Sequence, residues 1–249
     1  MTNVTRRQRA ENRKKKFKRV ASAVFAVAII CVSFLGFLRW KSSEAHRRYQ
    51  ASLKIPEYSG LAYVEINDNI PFFEESDKTT RSVERYSDLD SLGRCGVAYA
   101  NVSRELMPTE ERGEIGSIKP SGWNQAKYEG IVNSRPPYLY NRCHLIAYCL
   151  TAENANEKNL ITGTRYMNVD GMLPFEEQVA RYLDKNDNHV LYRVTPVFEG
   201  NNLVAGGVLM EAYSVEDNGE GICFCVYCYN VQPGIEIDYR TGESSICTQ

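Results

Sequence analysis

Three histidines hold most of the chemical interest of this 249-residue chain. His46 lies in a polar, charged stretch and reads as solvated, and His189 follows Asn186-Asp187-Asn188 at a turn. His144 differs, because Asn141-Arg142-Cys143-His144 sets a polar quartet inside the apolar stretch YLYNRCHLIAYCL at 138–150. An imidazole with its ordinary pKa near ~6.5 is mostly neutral at pH 7 and can accept a proton from water. A lone histidine on a strand is more often structural, so the downstream text matters. Asn159 and Asn168 stand nine apart, and Glu176 follows eight after Asn168. Of eight cysteines, Cys31 falls in a long apolar run and seven lie beyond it, an odd number that leaves at least one free or paired between molecules. In CFCVYC at 223–228, Cys223 and Cys225 share a strand face and Cys228 takes the other, which suits buried thiols better than zinc ligands. Cys143 and His144 are adjacent, so on a strand they point to opposite faces and make a poor nucleophile–base pair.

The elements that must position these residues are mainly strands. LAYVEIN (61–67) alternates like one and is broken by Asn67-Asp68-Asn69 and Pro71. CGVAYANV (95–102), HVLYRVTPVF (189–198), LVAGGVLMEAYSV (203–215) and ICFCVYCYNV (222–231) read the same way. The stretch 107–123 is turn-rich, and TAENANEKNLITGTRYMN (151–168) is rich in Asn and Thr and is predicted as a loop leading into a helix. Phe175, Val179, Tyr182 and Leu183 recur at helical spacing, which predicts a helix over 175–186 with Asn186 near its end. The expected class is α+β with a mostly antiparallel sheet in one domain, 56–249.

Charge divides the chain. Of 30 Lys/Arg, 14 fall in residues 1–55 with only two of the 31 acids, leaving 16 against 29 in residues 56–249, a formal −13. Residues 1–19 form a basic tail, and residues 20–38 (VASAVFAVAIICVSFLGFL) carry no charge. As a helix that run spans roughly 28 Å, close to the hydrocarbon thickness of a bilayer. Nine cations precede it and four follow soon after, so the amino terminus is expected in the cytoplasm and residues 56–249 outside, beyond a stalk at 39–55. A signal peptide cleaved near Ser43–Ala45, releasing a secreted domain, is the alternative. With 43% hydrophobic residues the chain is not disordered, and 17 Gly and nine Pro exclude fibrous or low-complexity classes.

YNRCHLIAY, NLITGTRYMN and FEEQV together resemble the DNA/RNA non-specific endonuclease family with the ββα-metal fold, and the likeness runs from about residue 56 to the closing YNVQPGIEIDYRTGES. It is strongest to the membrane-anchored and secreted nucleases of Gram-positive bacteria. The family signature Asp-Arg-Gly-His stands here as Asn141-Arg142-Cys143-His144. The resemblance implies His144 as general base, Asn168 as the protein ligand of one Mg²⁺ or Mn²⁺ ion, and Asn159 as a support of the site. It implies Glu176 as the acid orienting water on the metal, and gives Arg142 a catalytic part. Asn141 takes the signature's first place, in support, and Arg165 is a candidate for phosphate. The chemistry agrees: a phosphodiester is anionic and resists attack, magnesium often needs few protein ligands, and arginine pairs with phosphate bidentately. The implied activity is metal-dependent, sequence-non-specific cleavage of DNA, with RNA as a further candidate. The net negative charge predicts modest affinity and strong dependence on divalent ions. The rival is a surface-anchored binding module that keeps the fold without the activity.

Overall fold

The computed structural model describes residues 53–248. The basic tail, the expected membrane anchor and nearly all of the stalk lie outside the described residues. Among the described residues no helix is long and apolar enough to cross a membrane.

Ten strands form among the described residues: β1 (Tyr63–Glu65), β2 (Val83–Tyr86), β3 (Ala98–Val102), β4 (Tyr140–His144), β5 (Leu160–Thr164), β6 (Val190–Val197), β7 (Gly207–Ser214), β8 (Cys223–Tyr229), β9 (Ile235–Asp238) and β10 (Glu243–Ile246). Six of them make one sheet in the order β1-β8-β7-β6-β3-β2, antiparallel throughout. Strand alternation turns Ala100, Val194, Met210 and Val226 to one face, where they are buried in the main core. Of the two α-helices among the described residues, α1 (Tyr148–Thr151) lies between β4 and β5 in the chain, and α2 (Leu173–Leu183) follows β5. Val179 and Leu183 of α2 are fully buried against the sheet, each contributing about 1.5–3 kcal/mol. Phe175 stacks edge-on to Tyr63 at 4.8 Å and tilted to Phe224 at 5.0 Å, which locks the helix across β1 and β8. Pro174 suits the first turn of α2; the helix starts two residues before and ends three residues before the expected 175–186, and Asn186 Nδ2 donates back to the Tyr182 carbonyl at 2.8 Å just beyond its end.

β4 and β5 stand apart as an antiparallel pair in which Cys143 faces Ile161 and His144 faces Leu160. Met167–Met172 then form a π-helical turn that runs into α2. Two strands followed by a helix is the arrangement the resemblance implied. β5 corrects the expected loop over 151–168. Ile161, Thr162 and Thr164 are β-branched, and pairing with β4 outweighs the local preference of the flanking asparagines for loops. β2, β9 and β10 were not expected either, being short and rich in charged or polar residues.

Candidate active site

His144 ends β4 and is 6% exposed. Its Nδ1 lies 3.1 Å from Arg112 Nη2, and its Nε2 lies 2.9 Å from the Asn154 carbonyl. A guanidinium only donates, so Nδ1 must accept, and the ring proton on Nε2 donates to Asn154. Burial, with the Arg112 charge behind it, lowers the imidazole to about 4, although the Asn154 carbonyl pulls the other way. The ring is therefore neutral near pH 7, with its basic nitrogen turned toward Arg112. Both partners come from irregular segments. Gly113 lets one approach the other: a Cβ there would stand 2.8 Å from Asn154 Nδ2.

Asn159 is fully buried and clamps the turn just beyond His144. Its Oδ1 accepts from the Ile146 N–H, its Nδ2 donates to the Ile146 carbonyl, and its own carbonyl accepts from the Leu145 N–H, each at 2.9 Å. Every polar group of that side chain is spent on backbone.

On the opposite face of β4, the Cys143 thiol donates to Asn168 Oδ1 at 2.9 Å. Burial, and then the Glu176 charge, push this thiol well above its ordinary range, so it is no nucleophile. Asn168 belongs to the π-helical turn and is half-buried. Glu176 falls on the inward stripe of α2, three residues before Val179 and seven before Leu183, and is 9% exposed. A carboxylate at such a position is costly without a partner. Its carboxyl forms no hydrogen bond or ion pair among the described residues. Burial raises it to about 8, and the Arg112 charge opposes that rise. Arg112 thus lies within electrostatic reach of both the imidazole and the carboxyl. Among the described residues the buried Tyr192 hydroxyl and Asn154 Oδ1 also lack hydrogen-bond partners. The Asn168 carboxamide oxygen, which accepts only from Cys143 among the described residues, and the unpartnered Glu176 carboxyl are hard oxygen groups of the kind that suits a hydrated divalent cation. They do not fit zinc held by thiolates: among the described residues no three His, Cys, Asp or Glu could hold an ion together, and all seven described cysteines are free.

The remaining expected residues scatter. Arg142 Nε donates to the Ile118 carbonyl and its Nη2 to that of Gly116 at 2.6 Å, while its guanidinium stacks 4.3 Å over Trp123. Through these contacts Arg142, for which a catalytic part was expected, holds the 116–123 segment. Asn141 pairs across the ladder with Gly163, and its carboxamide makes no hydrogen bond among the described residues. Arg165 fixes its backbone N–H on Leu139 at 2.8 Å and leaves its guanidinium without a partner among the described residues. Arg112 and Asn154 were missed, since neither carries any local pattern that marks it.

The family described as DNA/RNA non-specific endonuclease matches residues 75–216. A deoxyribonuclease of Streptococcus dysgalactiae subsp. equisimilis is 29% identical over 197 residues, covering 63% of this chain and 59% of its own length. The chain thus spans about three fifths of that relative. NucA from Streptococcus agalactiae, solved with magnesium ion bound, superposes with a TM-score of 0.67 at 25% identity, over 79% of this chain and 91% of that one. Sda1 nuclease with bound zinc ion shares the fold at a TM-score of 0.61 and 24% identity, over 76% and 96%.

Proposed function

The chain belongs to the DNA/RNA non-specific endonuclease family, and on that premise we propose that it hydrolyses phosphodiester bonds of DNA, with RNA as a further candidate, using one divalent ion per site. The observation that carries the reading is the His144 imidazole, buried, neutral and fixed so that Nδ1 is the basic nitrogen. Nδ1 takes the proton of the attacking water, and the Asn154 carbonyl holds the Nε2 proton and stabilises the imidazolium that forms. Arg112 leaves Nδ1 as the water arrives, which puts its guanidinium beside the phosphate oxygens it can pair with. Arg165 is a second candidate for phosphate. Asn168 would hold the ion, magnesium or manganese, which supplies positive charge against the phosphate and the departing 3′ oxygen. The magnesium in the NucA structure supports that choice. Glu176, once ionised, accepts hydrogen bonds from water and orders it around the ion. The uncharged run at 20–38 and the cations before it support a membrane-anchored domain outside the cell.

His144→Ala tests the reading on plasmid DNA with and without magnesium. The rate should fall by about 10²–10⁴-fold with the melting temperature unchanged, and added imidazole should restore part of it. Normal cleavage by the variant, or by the parent in excess chelator, would refute the assignment. An inert binding module would show no cleavage in the parent at all.

A further inference from the structure

Among the described residues, the one hydrogen bond that fixes the Asn168 carboxamide comes from Cys143. We infer that Cys143 is a positioning residue whose thiol holds the Asn168 oxygen in place for the metal ion. This rests on the reading of Asn168 as the ligand given above. A carboxamide on two rotatable bonds presents oxygen or nitrogen by a half-turn, and only oxygen suits a hard cation. The Sγ–H donates to Oδ1 at 2.9 Å, selecting the oxygen-forward arrangement and leaving the second lone pair of Oδ1 unused.

The surroundings are built around this sulfur. A Cβ on Gly163 of the facing strand would stand 2.7 Å from Cys143 Cβ and 3.3 Å from its Sγ, so the strand gives up a side chain where the thiol lies. The Met172 sulfur, 3.4 Å away, backs the thiol from the other end of the π-helical turn. Cys143 is therefore wedged between β5 and the turn that carries Asn168, and of the three acceptors within reach of its one proton, Asn168 Oδ1, Met172 Sδ and the His144 carbonyl, the Asn168 oxygen is the nearest.

The test is Mn²⁺ binding to the full-length chain without nucleic acid, read from the electron paramagnetic resonance of free Mn²⁺. Cys143→Ala should raise the dissociation constant by roughly three- to tenfold, the scale of one hydrogen bond. Cys143→Ser, which keeps a donor, should stay within about twofold of the parent on the same scale. In nuclease assays the magnesium concentration for half-maximal rate should rise in Cys143→Ala by more than kcat falls. Should the alanine variant fail to melt cooperatively, Cys143→Val, which fills the space without a donor, replaces it. Unchanged Mn²⁺ affinity in the donor-free variant overturns the proposal, as does equal weakening in the serine variant, since that points to packing. Asn168→Ala run alongside separates the two levels: parental Mn²⁺ affinity there refutes the ligand reading itself.

Discussion

Glu176 links the site to the stability of the whole domain. In the unfolded chain its carboxyl titrates at the ordinary 4.5, but burial in the fold raises it to about 8. Between those values the folded protein holds a proton that the unfolded chain has lost, so stability present at low pH is lost as pH rises toward 8. Each pH unit in that range costs about 1.4 kcal/mol. His144 works oppositely, because it falls from 6.5 to about 4, and its gain is complete by pH 6.5. The interval from pH 6.5 to 8 therefore isolates Glu176, and over it the metal-free protein should lose about 2 kcal/mol, or about 4–8 °C in melting temperature. Thermal and urea unfolding in chelator at several pH values would measure it. Glu176→Gln should flatten the slope, and saturating magnesium should stabilise the parent more at pH 8 than at 6.5, because an ion favours the carboxylate. Parallel pH profiles for parent and Glu176→Gln would refute the buried, unpaired carboxyl.

Other outcomes follow from the same geometry. The acid limb of kcat/KM should lie well below pH 6.5, and Arg112→Ala should move it up, since burial first and the Arg112 charge second hold His144 down; a pH–rate profile from 4 to 8 decides it. Arg142→Ala should cost about 2–3 kcal/mol by freeing the Ile118 and Gly116 carbonyls, and should speed proteolysis within 116–123 while leaving Mn²⁺ affinity near the parent's. Asn159→Ala should cost about 2–4 kcal/mol, because both backbone groups of Ile146 lose their partners; urea unfolding would read it.

The parts of the site that could be read from the sequence are those with a local rule behind them. Glu176 occupies an apolar stripe that helical periodicity defines, and His144 sits among apolar neighbours on a strand. Asn159 and Asn168 were singled out by the family resemblance of the motifs that hold them. Arg112 and Asn154 reach His144 from 32 and 10 residues away through loops, where no period or propensity marks them. The structural contacts of Arg142 were hidden for a related reason. Its place in the signature suggested chemistry, yet the carbonyls that claim it belong to a segment 24 and 26 residues earlier. β5 hid behind asparagines whose loop preference holds only up to residue 159.

The π-helical turn at Met167–Met172 accommodates one residue more than a regular turn would. It works as an adjustable joint between Asn168 and Glu176. Removing a single codon there would let the stretch relax to α-helix and swing the carboxamide by roughly 100° around the axis, with the sheet-packed half of the helix left seated. The placement of the Asn168 carboxamide relative to Glu176 can thus be retuned by length alone, without exchanging one functional group.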